Sequence, residues 1–218
     1  MLSFYQLEFS RMTRPKKNKN DTLLFGLVLA GGRSSRMHTD KTMLVYHDKP
    51  QLRHTYDLLR LFCQKVFISN RPDQQTMDTH AQLPRIHDTY QNIGPLGGIL
   101  TAMDEHTQHT WLILACDLPL ITEKTLGRLI EQRDPDKLAT AFQNPVKLWP
   151  EPLCAIYEPG IRPLLKHHLN AGLHCPRKIL MRTDIHLLHL EDTNALLNAN
   201  DTQEFQNIKK HIQSSGRS

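Results

Sequence analysis

Residues 23–30, Leu-Leu-Phe-Gly-Leu-Val-Leu-Ala, form an unbroken apolar run that stops at Gly31-Gly32. A short continuous run of this kind suits a strand buried on both faces, as in a parallel sheet, running into a glycine turn. Trp111–Cys116, Trp-Leu-Ile-Leu-Ala-Cys, is a second such run, and Asp117 stands at its C-terminal end. Between and after them, shorter strand signals fall at Val66–Ser69, Arg85–Asp88, Leu138–Phe142, Leu153–Tyr157 and His186–Leu190. Helical spacing alternates with the strands. Pro50 opens a stretch in which Leu52, Tyr56, Leu59 and Cys63 share a face, and Gly94-Pro95-Leu96-Gly97-Gly98 turns into a helix with Ile99, Leu100 and Met103 inward. Thr122 is placed to cap a helix carrying Leu126, Leu129 and Ile130, Pro163 lies in the first turns of a helix reaching His168, and Pro176 starts another. Asp201 and Glu204 have capping-box spacing before a last helix with Phe205, Ile208 and Ile212 on one face. The alternation predicts an α/β fold with a doubly wound, mostly parallel sheet covered on both faces. Ligands of such sheets bind beyond the carboxyl ends of the strands. Gly31-Gly32 and Asp117 end the first and fourth expected strands, so both point to one edge.

Composition narrows the function classes. The formal net charge is +5, of which residues 1–22 supply +3 through Arg11, Arg14, Lys16, Lys17 and Lys19 against Glu8 and Asp21. The basicity belongs mostly to a tail, so a nucleic-acid-binding surface is not expected. Cys63, Cys116, Cys154 and Cys175 form no C-x-x-C pair, and the 13 histidines are dispersed without an H-E-x-x-H. Free thiols in a reducing cytoplasm are expected, rather than a zinc site or disulfide framework. No stretch of about 20 apolar residues exists to form a membrane-spanning helix. The expected organisation is a basic extension over 1–22, one domain over 23–213 and a short tail over 214–218.

The chemistry concentrates in residues 29–41, Leu-Ala-Gly-Gly-Arg-Ser-Ser-Arg-Met-His-Thr-Asp-Lys. Small residues let backbone N–H groups approach phosphate oxygens, and a loop nest concentrates those donors. Arg36 can fork two phosphate oxygens, and Lys41 can follow charge as it moves onto a leaving group. The run is neither a P-loop, since no G-K-[ST] closes it, nor a G-x-G-x-x-G fingerprint. Asp117, after a rigid buried strand, is a candidate ligand for Mg²⁺, which needs only one or two protein carboxylates beside phosphate and water. A turn role is the alternative for Asp117, and close helix–sheet packing is the alternative for Gly97-Gly98.

This loop resembles the L-A-G-G-x-[ST]-x-R-M-G-x-D-K signature of the molybdenum cofactor guanylyltransferases, within the nucleotidyltransferases that include the sugar-nucleotide pyrophosphorylases. The resemblance extends over about residues 24–212. Asp48-Lys49-Pro50 stands where the family has G-x-P, Gly94–Gly98 is similar to G-P-L-x-G, and Cys116-Asp117-Leu118-Pro119 to C-D-x-P. Pro152–Tyr157 matches a segment before the acceptor-side helix, and Leu197–Thr202 resembles N-x-N-T-P. His38 and Asp48 replace glycines, and the proline after Thr202 is missing.

The resemblance implies a nucleotide-diphospho-sugar transferase type of fold with a Rossmann-like nucleotide-binding half. Leu29, Ala30 and Gly31, followed by Gly32, would hold the nucleoside through main-chain contacts, and Lys41 would contact the phosphates. Ser69 or Asn70 would reach the nucleoside, and Asp88 would help fix guanine. Asp117 would bind Mg²⁺, with Asn198 and Asn200 near metal and acceptor. Arg36, Lys41 and Asp117 would form the catalytic set. The implied reaction transfers GMP from GTP to molybdopterin, with delivery proteins and molybdoenzyme chaperones as further partners. Transfer from CTP to molybdopterin, transfer to a sugar or isoprenoid phosphate, and a non-catalytic nucleotide-binding role are the alternatives.

Overall fold

The computed structural model describes residues 23–30, 44–70, 82–198 and 202–215. Seven strands build one sheet: β1 (Leu24–Leu29), β2 (Lys65–Asn70), β3 (Arg85–His87), β4 (Thr110–Ala115), β5 (Ala139–Gln143), β6 (Pro150–Tyr157) and β7 (His186–His189). Their order is β3-β2-β1-β4-β6-β5-β7. β1 pairs in parallel with β2 and β4, β2 with β3, and β5 with β7. β6 alone runs antiparallel, to both β4 and β5.

The helices are α1 (Gln51–Arg60), α2 (Pro95–Glu105), α3 (Glu123–Glu131), α4 (Arg162–Asn170), α5 (Pro176–Leu180) and α6 (Thr202–Ser215). They cover two faces, and the strands alternate side chains between two cores. Val28, Leu112, Leu114, Cys154 and Ile156 face one core with Leu52 and Leu59 of α1 and Leu126 and Leu129 of α3. Leu27, Trp111, Ile113, Ala155 and Tyr157 face the other, with Ile99, Leu100 and Met103 of α2, Leu165 of α4 and Ile179 of α5. The continuous apolar character of β1 and β4 follows from this double covering, since nearly every residue of both strands is buried.

The expected elements are present with specific differences. Strand and helix do not alternate throughout. β5 and β6 join through residues 144–149 without a helix, and this hairpin is what turns β6 antiparallel. β6 also begins at Pro150, three residues before the expected Leu153. α1 ends at Arg60, yet Cys63 keeps its place in the core because its N–H still reaches the Leu59 carbonyl at 2.9 Å. β3 and β7 each stop one residue early, at His87 and His189. The Thr122 cap is present, its hydroxyl accepting from the Thr125 N–H at 3.2 Å. Asp201 lies outside the described residues. Cys63, Cys116, Cys154 and Cys175 are all free thiols. No helix among the described residues is long and apolar enough to cross a membrane.

Candidate active site at the carboxyl edge of the sheet

Strand register aligns the expected site residues. Leu29 is level with Ser69 of β2 and with Ala115 of β4, and Ser69 is level with Ile86 of β3. One step further along the chain come Asn70, Ala30 and Cys116, the last bonded through its N–H to the Leu29 carbonyl at 3.2 Å. Asp88 and Asp117 stand just past the ends of β3 and β4 at this same edge. The parallel strands therefore gather Leu29, Ala30, Ser69, Asn70, Asp88 and Asp117 at their carboxyl ends. Gly31, Gly32, Arg36, His38, Lys41 and Asn200 lie outside the described residues.

The G-P-L-G-G stretch has a distinct physical requirement at nearly every position. Gly94 has φ 65° and ψ −149°, a backbone state essentially restricted to glycine. Pro95 opens α2, where its missing N–H costs nothing. A Cβ on Gly97 would lie 2.5 Å from the Tyr90 carbonyl oxygen, and one on Gly98 would overlap the Ser69 hydroxyl. Close packing is thus the structural reason for both glycines. It brings α2 onto the end of β2, where the Ser69 hydroxyl donates to the Asp88 carboxylate at 2.7 Å. Ser69 and Asn70 are both buried, and strand alternation turns them to opposite faces.

The far end of the glycine loop returns to this edge. Leu44–Pro50 forms a tight turn closed by the Val45–Pro50 bridge and by the Gln51 N–H on the Leu44 carbonyl at 2.8 Å. Asp48 occupies the left-handed region at φ 57°, which accounts for a glycine at the corresponding place in the family pattern. The turn is fastened to the Asp117 loop, with His47 Nε2 2.8 Å from the Pro119 carbonyl oxygen. Tyr46 packs with Leu120 and with Ile208 of α6, and its ring lies 4.8 Å from that of Phe205. Burial, and then the negative charge of Asp117, push the Tyr46 hydroxyl well above its ordinary pKa.

On the other side of β4 stands Glu151. The antiparallel register pairs Leu114 with Cys154, and past the end of that ladder Glu151 is near enough to feel the Asp117 charge. Burial raises the Glu151 pKa and the Asp117 charge adds to it, while Arg177 and the Leu153 N–H act in the opposite direction. Asn198 is exposed and follows the turn in which Ala195 and Leu196 anchor into the same core cluster as Cys116 and Leu118.

The family model of MobA-like NTP transferase domains matches residues 26–187. The chain belongs to the MobA-like NTP transferase family. A molybdenum cofactor biosynthesis bifunctional protein from Synechocystis sp. is 38% identical over 196 residues, covering 90% of this chain. This chain spans only 56% of that relative's length. A molybdenum cofactor guanylyltransferase from Pseudomonas entomophila is 30% identical over 158 residues, 71% of this chain and 81% of the relative. Among solved structures, molybdopterin-guanine dinucleotide biosynthesis protein A from Archaeoglobus fulgidus superposes with a TM-score of 0.73 at 18% identity, over 87% of this chain and 99% of that one. Membership makes the chain a nucleotidyltransferase on the expected fold.

Tyr46 and Glu151 escaped sequence reasoning. The signal for Glu151 was a carboxylate held between Pro150 and Pro152 at the entrance to a buried strand. Tyr46 had no comparable signal, because its neighbours Leu120, Phe205 and Ile208 are far away in the chain.

Proposed function

We propose that this protein transfers GMP from GTP to the terminal phosphate of molybdopterin, releasing pyrophosphate. The observation that carries the proposal is Asp117, placed by β4 beside the Leu29-Ala30 end of β1 at the carboxyl edge, in a chain of the MobA-like family. An acceptor phosphate oxygen attacks the α-phosphorus of GTP. The bond from that phosphorus to the α–β bridging oxygen breaks, and the electron pair leaves with pyrophosphate. The acceptor phosphate is already ionised, so no side chain need act as base or nucleophile. Catalysis is then positioning and charge stabilisation.

The residues fit Mg²⁺. The Asp117 carboxylate is a hard oxygen ligand on a rigid strand end, and its negative charge is felt by both Tyr46 and Glu151. Asp117 would hold the ion, with Asn198 and Asn200 assisting through water. When bound, the ion offsets charge on the triphosphate and on the departing pyrophosphate. In this reading Leu29, Ala30, Gly31 and Gly32 present main-chain groups to the nucleotide. Arg36 and Lys41 receive the developing pyrophosphate charge. Ser69 holds the Asp88 carboxylate toward the guanine N–H donors, and Asn70 follows at the end of β2 on the opposite face.

The test is pyrophosphate release from GTP, CTP, ATP and UTP in turn, with Mg²⁺ and purified molybdopterin. GTP should be preferred, and Asp88→Ala should weaken GTP by about 1–3 kcal/mol, the usual loss when a buried donor is left unpaired. A clear CTP preference would move the protein to cytidylyl transfer. Undiminished GTP affinity in Asp88→Ala would take Asp88 out of the site.

A further inference from the structure

Asp88 lies just past β3, and the direction of its side chain depends on the backbone on either side of it. Its own N–H donates to the Asn70 carbonyl at 3.0 Å, which keeps it tied to β2. The next N–H, that of Thr89, donates instead to the Thr101 hydroxyl of α2 at 3.0 Å. The peptide plane that carries the Thr89 N–H is set by the ψ angle of Asp88. The two bonds therefore bracket Asp88, and the direction of its carboxylate is fixed by β2 on one side and by α2 on the other.

Thr101 is 1% exposed and stands among Leu100, Ala102 and Met103, all buried and apolar. A valine there would have nearly the same shape and no polar group to satisfy. The hydroxyl brings the helix no benefit, since it donates back to the Gly97 carbonyl at 2.8 Å, a local bond that slightly weakens helices. That bond does orient the oxygen. With its proton on Gly97, its lone pairs are left to accept from the Thr89 N–H. The Thr89 hydroxyl, 3.1 Å from it, is then the donor in a second contact.

The same face of α2 holds the loop at two further points, because residues 97, 101 and 104 follow one another at i, i+4 and i+7. The Tyr90 carbonyl packs on Gly97, where a Cβ would lie 2.5 Å from its oxygen. The Tyr90 hydroxyl donates to the Asp104 carboxylate at 2.6 Å. Arg162 and Lys166 of α4 hold that carboxylate at 2.5 and 2.9 Å. Residues 88–90 are thereby fastened to one helix. Asn92 at φ 61° and Gly94 at φ 65° then carry the chain from this loop into α2.

We propose that Thr101 is a positioning residue for base selection: through the Thr89 N–H it fixes the backbone of Asp88 so that the carboxylate meets the N–H donors of guanine. The proposal rests on the GTP reading above and assigns its base selectivity to a residue that touches no substrate. One carboxylate then has two anchors. Ser69 holds its oxygen at 2.7 Å, and Thr101 holds the main chain that carries it. Phosphate and ribose contacts are common to all the triphosphates. Loosening Asp88 therefore lowers discrimination between bases and leaves the shared part of binding in place.

Equilibrium binding of GTP and ATP with Mg²⁺ tests the assignment, because adenine lacks the ring N–H and the 2-amino group of guanine. The proteins compared are wild type, Thr101→Val, Thr101→Ser, Asp88→Ala and the double variant Thr101→Val/Asp88→Ala. Thr101→Val should lower the ratio of GTP to ATP affinity about tenfold, through weaker GTP binding. Its ATP affinity should stay near that of wild type, which also shows that the variant is folded. Thr101→Ala, which lacks the hydroxyl too, reads the same contact if valine packs badly. Thr101→Ser keeps the hydroxyl and should keep the ratio. In the Asp88→Ala background Thr101→Val should change the ratio no further. An unaltered ratio in Thr101→Val, beside an Asp88→Ala variant that loses it, would overturn this inference alone and leave Thr101 a packing residue. A further loss in the double variant would overturn it as well, since Thr101 would then act by another route than Asp88. A wild type without GTP preference, or an Asp88→Ala variant that keeps it, would overturn the base reading and this inference with it.

Discussion

Gly98 and Ser69 meet where α2 crosses the end of β2, and the Ser69 hydroxyl there donates to the Asp88 carboxylate. Gly98→Ala forces the Ser69 side chain to move, because the new methyl occupies the space of its hydroxyl. The variant should lose about 1–3 kcal/mol of stability, the usual cost of overpacking. It should also bind GTP more weakly, since the Ser69–Asp88 hydrogen bond cannot survive in place. Urea denaturation and a GTP titration read the two effects separately. Lost stability with unaltered GTP affinity would make the pair a packing feature only. Single residues differed in how far the sequence revealed them. Gly94, Gly97 and Gly98 were visible as a motif, but the reason for each came only from its backbone angle or nearest atom. Asp48 stood out as a replaced glycine, and its left-handed backbone is the reason for the glycine in the pattern. Glu151 was missed because its nearness to Asp117 depends on β6 lying beside β4, which no local pattern encodes.

At the scale of elements, α1 carries a consequence for pH. His54 stacks on His47 with ring centres 3.9 Å apart, and His47 in turn contacts the Pro119 carbonyl. Burial, then the neighbouring His47 and Lys49, lower the His54 pKa from 6.5 to about 4, against the opposing pull of Asp57. Above pH about 6.5 the ring is neutral in folded and unfolded chains alike, and the stability it contributes is fully present. As pH falls from there toward 4, the unfolded chain takes up a proton that the folded one resists, so stability is lost across that window. Allowing for solvent screening of this half-buried ring, the loss should be roughly 1–2 kcal/mol. Chemical denaturation at pH 7.5 and pH 5 should show it in wild type and show less of it in His54→Phe, which keeps an aromatic ring in the stack. Equal pH sensitivity in the two proteins would assign the effect to other groups. The elements themselves were legible where burial leaves a pattern. β1 and β4 read as unbroken apolar runs because both of their faces are covered. The direction of β6 was not legible, since alternation has the same period in parallel and antiparallel strands. The spacing of α1 extended to Cys63 because the turn after Arg60 keeps one helix-like hydrogen bond.

Across the whole molecule the two ends of the sheet are specialised. At the amino edge of β4, Thr110 and Glu158 are buried, and the Arg133 guanidinium grips Glu158 with bonds of 2.6 and 2.8 Å. The Thr110 hydroxyl donates to the same carboxylate at 2.9 Å, and the Phe25 and His109 rings stack 4.0 Å apart close by. This end is tied together by a buried ion pair and stacked rings. Glu158→Gln leaves the Arg133 charge uncompensated and should cost about 3–4 kcal/mol of stability, while folded enzyme keeps its affinity for GTP. A variant of native stability would remove the pair from the stability account. The carboxyl edge shows the reverse pattern. Its polar residues are those that the proposed transfer would set against a substrate, and Asp117 stands between the Leu29-Ala30 end of β1 and Glu151. In the proposed reaction this carboxylate holds the metal ion that makes transfer possible. Asp117→Asn is nearly isosteric and should preserve the fold. A Mg²⁺ titration of the transfer rate at saturating GTP and molybdopterin, run on wild type and Asp117→Asn, tests this role of the carboxylate. The variant should lose most Mg²⁺-dependent turnover, by about 10²-fold or more, while retaining some metal-free GTP binding. Superimposable Mg²⁺ dependence with equal maximal rates would contradict it and leave Asp117 a turn residue.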